Sequence, residues 1–209
     1  GLNRAEVIAA SAAASPMKGA FSGWHIIRLE MGELTSTHPI VMAASIAIEI
    51  PERIIQSVRV PALGLGTWEL KGDTCKTCVS AAIEMGYRHI DTARAYENEV
   101  SVGAGIAESG IDRDALFVTS KIWHEKLDAE SVMTQVNDSL KDLRMEYLDL
   151  ALIHWPNPDF SLEEPLNALV RLHEDGLIRR FGVSNFTPDW LKRALDIAPI
   201  FCNQVEYHP

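Results

Sequence analysis

Leu63-Gly64-Leu65-Gly66-Thr67-Trp68-Glu69 is the stretch on which the fold turns. A dinucleotide-binding open sheet carries G-x-G-x-x-G straight after its first strand, where the glycines make a tight turn and let the backbone approach a pyrophosphate. Gly64 and Gly66 supply the first two, but Glu69 stands in the place of the third. The flanking residues still read as one βα unit. Arg59 to Trp68 is a turn leading into a short strand, and Asp73 or Thr74 can cap a helix that ends at Gly86.

The same cycle repeats downstream. A strand over 88–91 precedes a helix over 97–109 closed by Gly110, and a strand over 116–121 precedes a helix from Asp128 with Val132, Val136, Leu140 and Leu143 on one face. Residues 147–154 form an apolar strand, and Ser161-Leu162-Glu163-Glu164 has the capping-box form at the start of a helix that stops at Gly176. Residues 178–183 are a fifth strand, Thr187-Pro188 opens the next helix, and 200–206 are a sixth strand. Alternating elements with near-continuous apolar strands predict an α/β protein whose parallel sheet is covered by helices. Without the third glycine the closed (β/α)8 TIM barrel is favoured over the open sheet. Such a barrel takes roughly 250 residues, whereas 60–209 supplies 150 residues and about six units. Residues 51–209 are therefore expected to be a barrel incomplete at its C-terminus. Its unpaired edges at the first and sixth strands should leave the 209 residues alone inactive and unstable as a monomer.

Composition removes several classes of function. The 209 residues include 19 Lys+Arg against 29 Asp+Glu, a formal net charge of −10. A nucleic-acid binder needs clustered cations to displace counterions, so neither nucleic acid nor an anionic membrane is an expected partner. The longest mostly apolar run, 39–48, ends at Glu49 and Pro51, well short of the ~20 residues that cross a bilayer.

Residues 1–50 show no sustained period and read as an N-terminal extension outside the functional fold. Glu6 and the weakly hydrophobic alanine run argue against a secretory signal. Three cysteines give no disulfide framework, which suggests a reducing, cytoplasmic location. Cys75-Lys76-Thr77-Cys78 has half-zinc spacing, but no second ligand pair follows. Cys75, Cys78, Val79, Ala82 and Ile83 instead recur at helical spacing, so both thiols belong to an apolar stripe and no metal is expected.

In a barrel of this kind the chemistry gathers at the C-terminal ends of the strands. Those ends carry Thr67-Trp68, then Asp91 with Tyr96 in the following loop, then Lys121 with Trp123, His154-Trp155, Ser184-Asn185, and Gln204 with Glu206. Any one of these has an ordinary structural explanation as a cap, a solvated cation or a packing aromatic. Together they surround one cavity.

The residues Leu63-Gly64-Leu65-Gly66-Thr67-Trp68, Gly86-Tyr87-Arg88-His89-Ile90-Asp91-Thr92-Ala93 with Tyr96 and Asn98-Glu99, Ser120-Lys121-Ile122-Trp123, Leu148-Asp149-Leu150 through Ile153-His154-Trp155-Pro156, Gly182-Val183-Ser184-Asn185-Phe186, and Asn203-Gln204-Val205-Glu206 resemble the aldo-keto reductase family, in order and across about residues 52–209. Ile153-His154-Trp155-Pro156-Asn157-Pro158 resembles its bacterial branch acting on 2,5-diketogluconate and methylglyoxal. The resemblance implies NADPH-linked reduction of a small carbonyl substrate to an alcohol by a monomeric barrel. Its catalytic tetrad falls on Asp91, Tyr96, Lys121 and His154. Thr67, Asp91, Ser184, Asn185 and Gln204 become cofactor-binding residues, and Trp68, Trp123 and Trp155 the walls of the substrate pocket. The family's clamp for the adenosine 2′-phosphate follows its eighth strand, beyond the six units read here, so NADPH over NADH rests on the resemblance alone.

The chemistry of these side chains agrees. Hydride arriving at a carbonyl carbon leaves an alkoxide, which needs a proton donor within hydrogen-bond reach. Tyr96 is suited to that role when the Lys121 ammonium stabilises the phenolate left behind, with Asp91 balancing the buried cation. Neutral His154 would orient and polarise the oxygen. Two rival readings share the residues: a non-catalytic NADPH-binding barrel that regulates a partner, as the potassium-channel β subunits do, and a lyase whose Lys121 forms a Schiff base.

Overall fold

Parallel strand pairing organises the computed structural model, which describes residues 7–8 and 50–206. The strands are β1 (Val7–Ile8), β2 (Glu52–Ile55), β3 (Val58–Pro61), β4 (Leu65–Gly66), β5 (His89–Asp91), β6 (Phe117–Ile122), β7 (Leu150–Ile153), β8 (Phe181–Ser184) and β9 (Asn203–Gln204). The helices are α1 (Gly72–Glu84), α2 (Glu99–Ser109), α3 (Ala129–Leu143), α4 (Glu163–Glu174) and α5 (Pro188–Ile197). One sheet runs β4-β5-β6-β7-β8-β9-β1 among the described residues, every neighbour parallel. Each step from β4 to β9 crosses through a helix, which is the construction of a (β/α)8 barrel in part.

Each face of the sheet carries an apolar cluster. On the helix side, Ile90, Val118, Ile153 and Val183 pack against Val79, Val102, Val136 and Leu169. On the inner side, Leu150, Leu152, Phe117 and Phe201 form a second cluster with Ile55 and Val60. That second cluster depends on an element the sequence reading did not resolve. β2 and β3 are an antiparallel hairpin, with Ile55 opposite Val58. Gln56 and Ser57 both have left-handed φ, 45° and 67°, the signature of a two-residue turn that follows strand twist. The Gln56 amide donates to the Phe201 carbonyl at 3.3 Å and ties the hairpin beneath the sheet.

Several boundaries differ from expectation, each for a local reason. Lys71 occupies the N-cap of α1 and makes no side-chain cap, while Asp73 lies in the first turn. Ser161 does not form the capping box, because its hydroxyl donates to the Glu163 carboxylate at 2.7 Å. Asp128 and Thr187 cap α3 and α5 as expected, accepting from the Ser131 and Trp190 amides. The sixth strand is two residues, and its outer edge is not free: Val7 and Ile8 pair with Asn203 and Gln204. An exposed row of amides and carbonyls is a template for any available strand. The rest of the expected N-terminal extension lies outside the described residues.

No helix among the described residues is long and apolar enough to cross a membrane, and no group of three potential metal ligands occurs among them. Cys75, Cys78 and Cys202 are free, and burial pushes the Cys75 thiol up to about 11.

Candidate active site

Parallel register brings the polar strand ends onto one rim. Gly66 lies opposite Asp91, Asp91 opposite Thr119, and Ser184 opposite Gln204. Residues flanking these pairs therefore converge although the sequence separates them widely. Among the described residues Lys121 is buried, and its ammonium group contacts the Asp91 carboxylate, the Thr92 carbonyl at 3.1 Å and the Tyr96 hydroxyl at 3.5 Å. An ammonium has three hydrogens and finds three oxygen acceptors, so the site is built for a charged lysine. The second Asp91 oxygen accepts from the Gln204 amide at 2.7 Å. One hydrogen-bonded run thus joins Gln204, Asp91, Lys121 and Tyr96 across β9, β5, β6 and the loop after β5.

His154 borders that run. Its ring is 5.6 Å from the Tyr96 ring and 5.6 Å from the Trp123 ring, both edge-on. Burial first, then the Lys121 cation, lowers its pKa to about 4, so the imidazole is neutral at pH 7. Its Nδ1 is buried with no hydrogen-bond partner among the described residues. A buried N–H without an acceptor is rarer than a bare acceptor, so the proton is assigned to Nε2. That tautomer makes His154 a hydrogen-bond donor.

Ser184 and Asn185 complete the rim on the β8 side. The Ser184 hydroxyl donates to the Gln204 carbonyl at 3.0 Å, and the Asn185 amide donates to Ser184 Oγ at 3.1 Å and the His154 carbonyl at 3.0 Å. Asn185 holds a left-handed φ of 61°, a conformation its short amide tolerates. Thr67 is fully buried and donates its hydroxyl to the Asp91 carbonyl at 3.2 Å. Ser184, Asn185 and Gln204 are uncharged polar groups linked to one another on neighbouring strand ends, with Gln204 bonded to Asp91, and this chemistry fits a neutral carboxamide such as that of a nicotinamide. Trp68 and Trp155 are half exposed at 50% and 46%, large apolar faces beside the rim.

Two residues support this rim that the sequence reading gave no role. Asn98 is buried; its amide donates to the Thr67 carbonyl at 2.7 Å and the Leu70 carbonyl at 2.9 Å, and its oxygen accepts from the Thr92 hydroxyl at 3.0 Å. It staples the loop after β4 to the loop bearing Tyr96. Its place beside Tyr96 among the residues that carry the family resemblance was the available signal. Gln135 of α3 brackets the Trp123 peptide, accepting from its amide at 2.7 Å and donating to its carbonyl at 3.3 Å. Nothing in helical periodicity marks it. A cavity of about 600 Å³ lies at the opposite end of the sheet, lined by Arg59, Arg88, Asp149, Arg179 and Arg180, and contains none of the rim groups.

Comparison with known proteins bears on the same residues. Residues 62–209 match the sequence model of the Aldo/keto reductase family. Methylglyoxal reductase DkgB of Escherichia coli O157:H7 is 44% identical over 155 residues, which is 72% of this chain and 58% of that protein. A crystal structure described as that of a 2,5-diketo-D-gluconic acid reductase B superposes with a TM-score of 0.74 at 36% identity, covering 77% of this chain and 58% of the other. An aldo-keto reductase of Bombyx mori in complex with NADP gives a TM-score of 0.72 at 35% identity over 77% of this chain and 59% of its own. The chain thus spans 58% of the length of the curated relative described. A match that takes in every strand from β4 to β9 and well over half of the sequence shows the family: the chain belongs to the aldo/keto reductases.

Proposed function

We propose that the protein reduces an aldehyde or ketone to the alcohol with NADPH, Tyr96 donating the proton. The observation that carries this reading is the hydrogen-bonded run from Gln204 through Asp91 and Lys121 to Tyr96, with neutral His154 alongside. A bound nicotinamide would supply hydride. Ser184, Asn185 and Gln204, with Thr67 and Asp91, would hold its carboxamide. His154 Nε2–H donates to the carbonyl oxygen and polarises it before transfer. As negative charge grows on that oxygen, the Tyr96 hydroxyl gives up its proton, and the Lys121 ammonium at 3.5 Å stabilises the resulting phenolate. Asp91 keeps Lys121 charged in a buried position. Trp68, Trp123 and Trp155 exclude water that would weaken these interactions.

Small α-oxoaldehydes and diketo-sugar acids are the proposed substrates, a reading supported by the names of a 44% identical relative, a methylglyoxal reductase, and of a structural neighbour, a 2,5-diketo-D-gluconic acid reductase B. NADPH rather than NADH is favoured by the Bombyx mori relative's complex with NADP. A cytoplasmic location is supported by three free cysteines. The lyase alternative fares worse: a lysine whose three hydrogens are all engaged offers no lone pair to a carbonyl.

Tyr96→Phe in the complete gene product tests the proton donor. It keeps the ring and removes the hydroxyl, so turnover should fall on the order of 10²-fold or more while NADPH affinity changes little. Turnover surviving within a few-fold would remove Tyr96 from the mechanism.

A further inference from the structure

Tyr96 does not sit on regular secondary structure. It ends a single 3-10 turn, Arg94–Tyr96, and the next residue, Glu97, has a left-handed φ of 51°. Its hydroxyl reaches Lys121 only at 3.5 Å, the outer limit of a hydrogen bond, so a small drift of the turn would break the contact. Whatever fixes that turn therefore fixes the geometry of proton transfer.

The fixing group is a buried carboxylate. The Glu99 side chain is only 2% exposed, and one of its oxygens accepts from the Arg94 guanidinium, two residues before Tyr96. Its other oxygen accepts from the Ser120 hydroxyl at 2.5 Å. Ser120 precedes Lys121 on β6, and alternation along a strand sends their side chains to opposite faces. A single carboxylate behind the sheet thus grips both the turn that carries Tyr96 and the strand that carries Lys121. Arg94 is held a second time, by Asp142 of α3 at 2.6 Å. As the first residue of α2, Glu99 also has its charge favoured by the helix dipole. The tyrosine hydroxyl itself faces Lys121, with Asp91 and His154 beside it, while Lys71 holds the Tyr96 carbonyl from the loop after β4.

We propose that Glu99 is a positioning residue for the proton donor, setting the separation of the Tyr96 hydroxyl from the Lys121 ammonium through Arg94 and Ser120. The inference rests on the reading of Tyr96 as the donor. Replacing Glu99 by Gln keeps a hydrogen-bonding group near Ser120 but removes the charge that holds Arg94.

The test compares Glu99→Gln, Arg94→Met and Arg94→Lys with the parent enzyme and with Tyr96→Phe, all in the complete gene product. Glu99→Gln and Arg94→Met should lower kcat by about tenfold or more, the scale of a sub-ångström to ångström displacement of a catalytic group, with KM and NADPH Kd nearly unchanged. The alkaline limb of the pH–rate profile should move to higher pH as the phenolate loses its cation. Arg94→Lys should restore most of the rate. If Glu99→Gln does not fold, the Arg94 pair, whose side chain is 26% exposed, decides the matter. Unchanged kcat and profile, or a loss shared with KM and not relieved by lysine, would overturn the positioning role while leaving Tyr96 as donor. Full turnover in Tyr96→Phe would instead overturn the reading beneath it.

Discussion

At the scale of single residues, His154 shows how one environment sets both a proposed catalytic role and a stability cost. Burial and the neighbouring Lys121 cation keep its imidazole neutral and lower its pKa to about 4, against about 6.5 in an unfolded chain. As the pH falls, the unfolded chain takes up this proton first, so folding stability is lost through the window from about pH 6.5 down to 4. At pH 5 the loss amounts to about 1–2 kcal/mol once screening at the pocket mouth is allowed for. Urea unfolding at pH 7.5 and pH 5 should therefore show His154→Gln losing less stability than the parent by about that amount. Equal losses would mean that the imidazole is not held neutral. The same buried pocket gave His154 a proton on Nε2, since Nδ1 has no partner among the described residues.

At the scale of elements, the strand-end residues were legible in the sequence because parallel βα units all point the same way. Once Arg88 to Asp91, Leu116 to Lys121 and Tyr147 to His154 read as strands, their last residues had to share a rim. Asp91, Lys121 and His154 do so. The β2–β3 hairpin was not legible, because its turn is Gln56-Ser57 rather than Asn-Gly or Asp-Gly, and its tie to Phe201 spans 145 residues. The capping box at Ser161 failed for a similar reason: spacing fixes which groups could bond, whereas the hydroxyl took the nearer Glu163 carboxylate. Ser57 carries a left-handed strain that glycine lacks, so Ser57→Gly should raise the melting temperature, by about 0.5–1 kcal/mol of stability net of the glycine's greater chain entropy. A lowered melting temperature would mean that the hairpin turn is not the tight left-handed pair described.

At the scale of the whole molecule, the sheet separates two tasks. The hairpin, with Ile55 and Val60 packed on Phe117 and Leu152, seals one end, while the opposite rim gathers Asp91, Tyr96, Lys121 and His154. A chain with a formal net charge of −10 holds the buried Lys121 cation, paired with Asp91, at that rim, where the proposed carbonyl reduction would develop negative charge. The most direct measurement is NADPH oxidation by the complete gene product with methylglyoxal and with a diketo-sugar acid, product identified by mass spectrometry. The account predicts oxidation of one NADPH for each alcohol formed with at least one of these substrates. No NADPH oxidation, together with a borohydride-trapped adduct on Lys121, would contradict it.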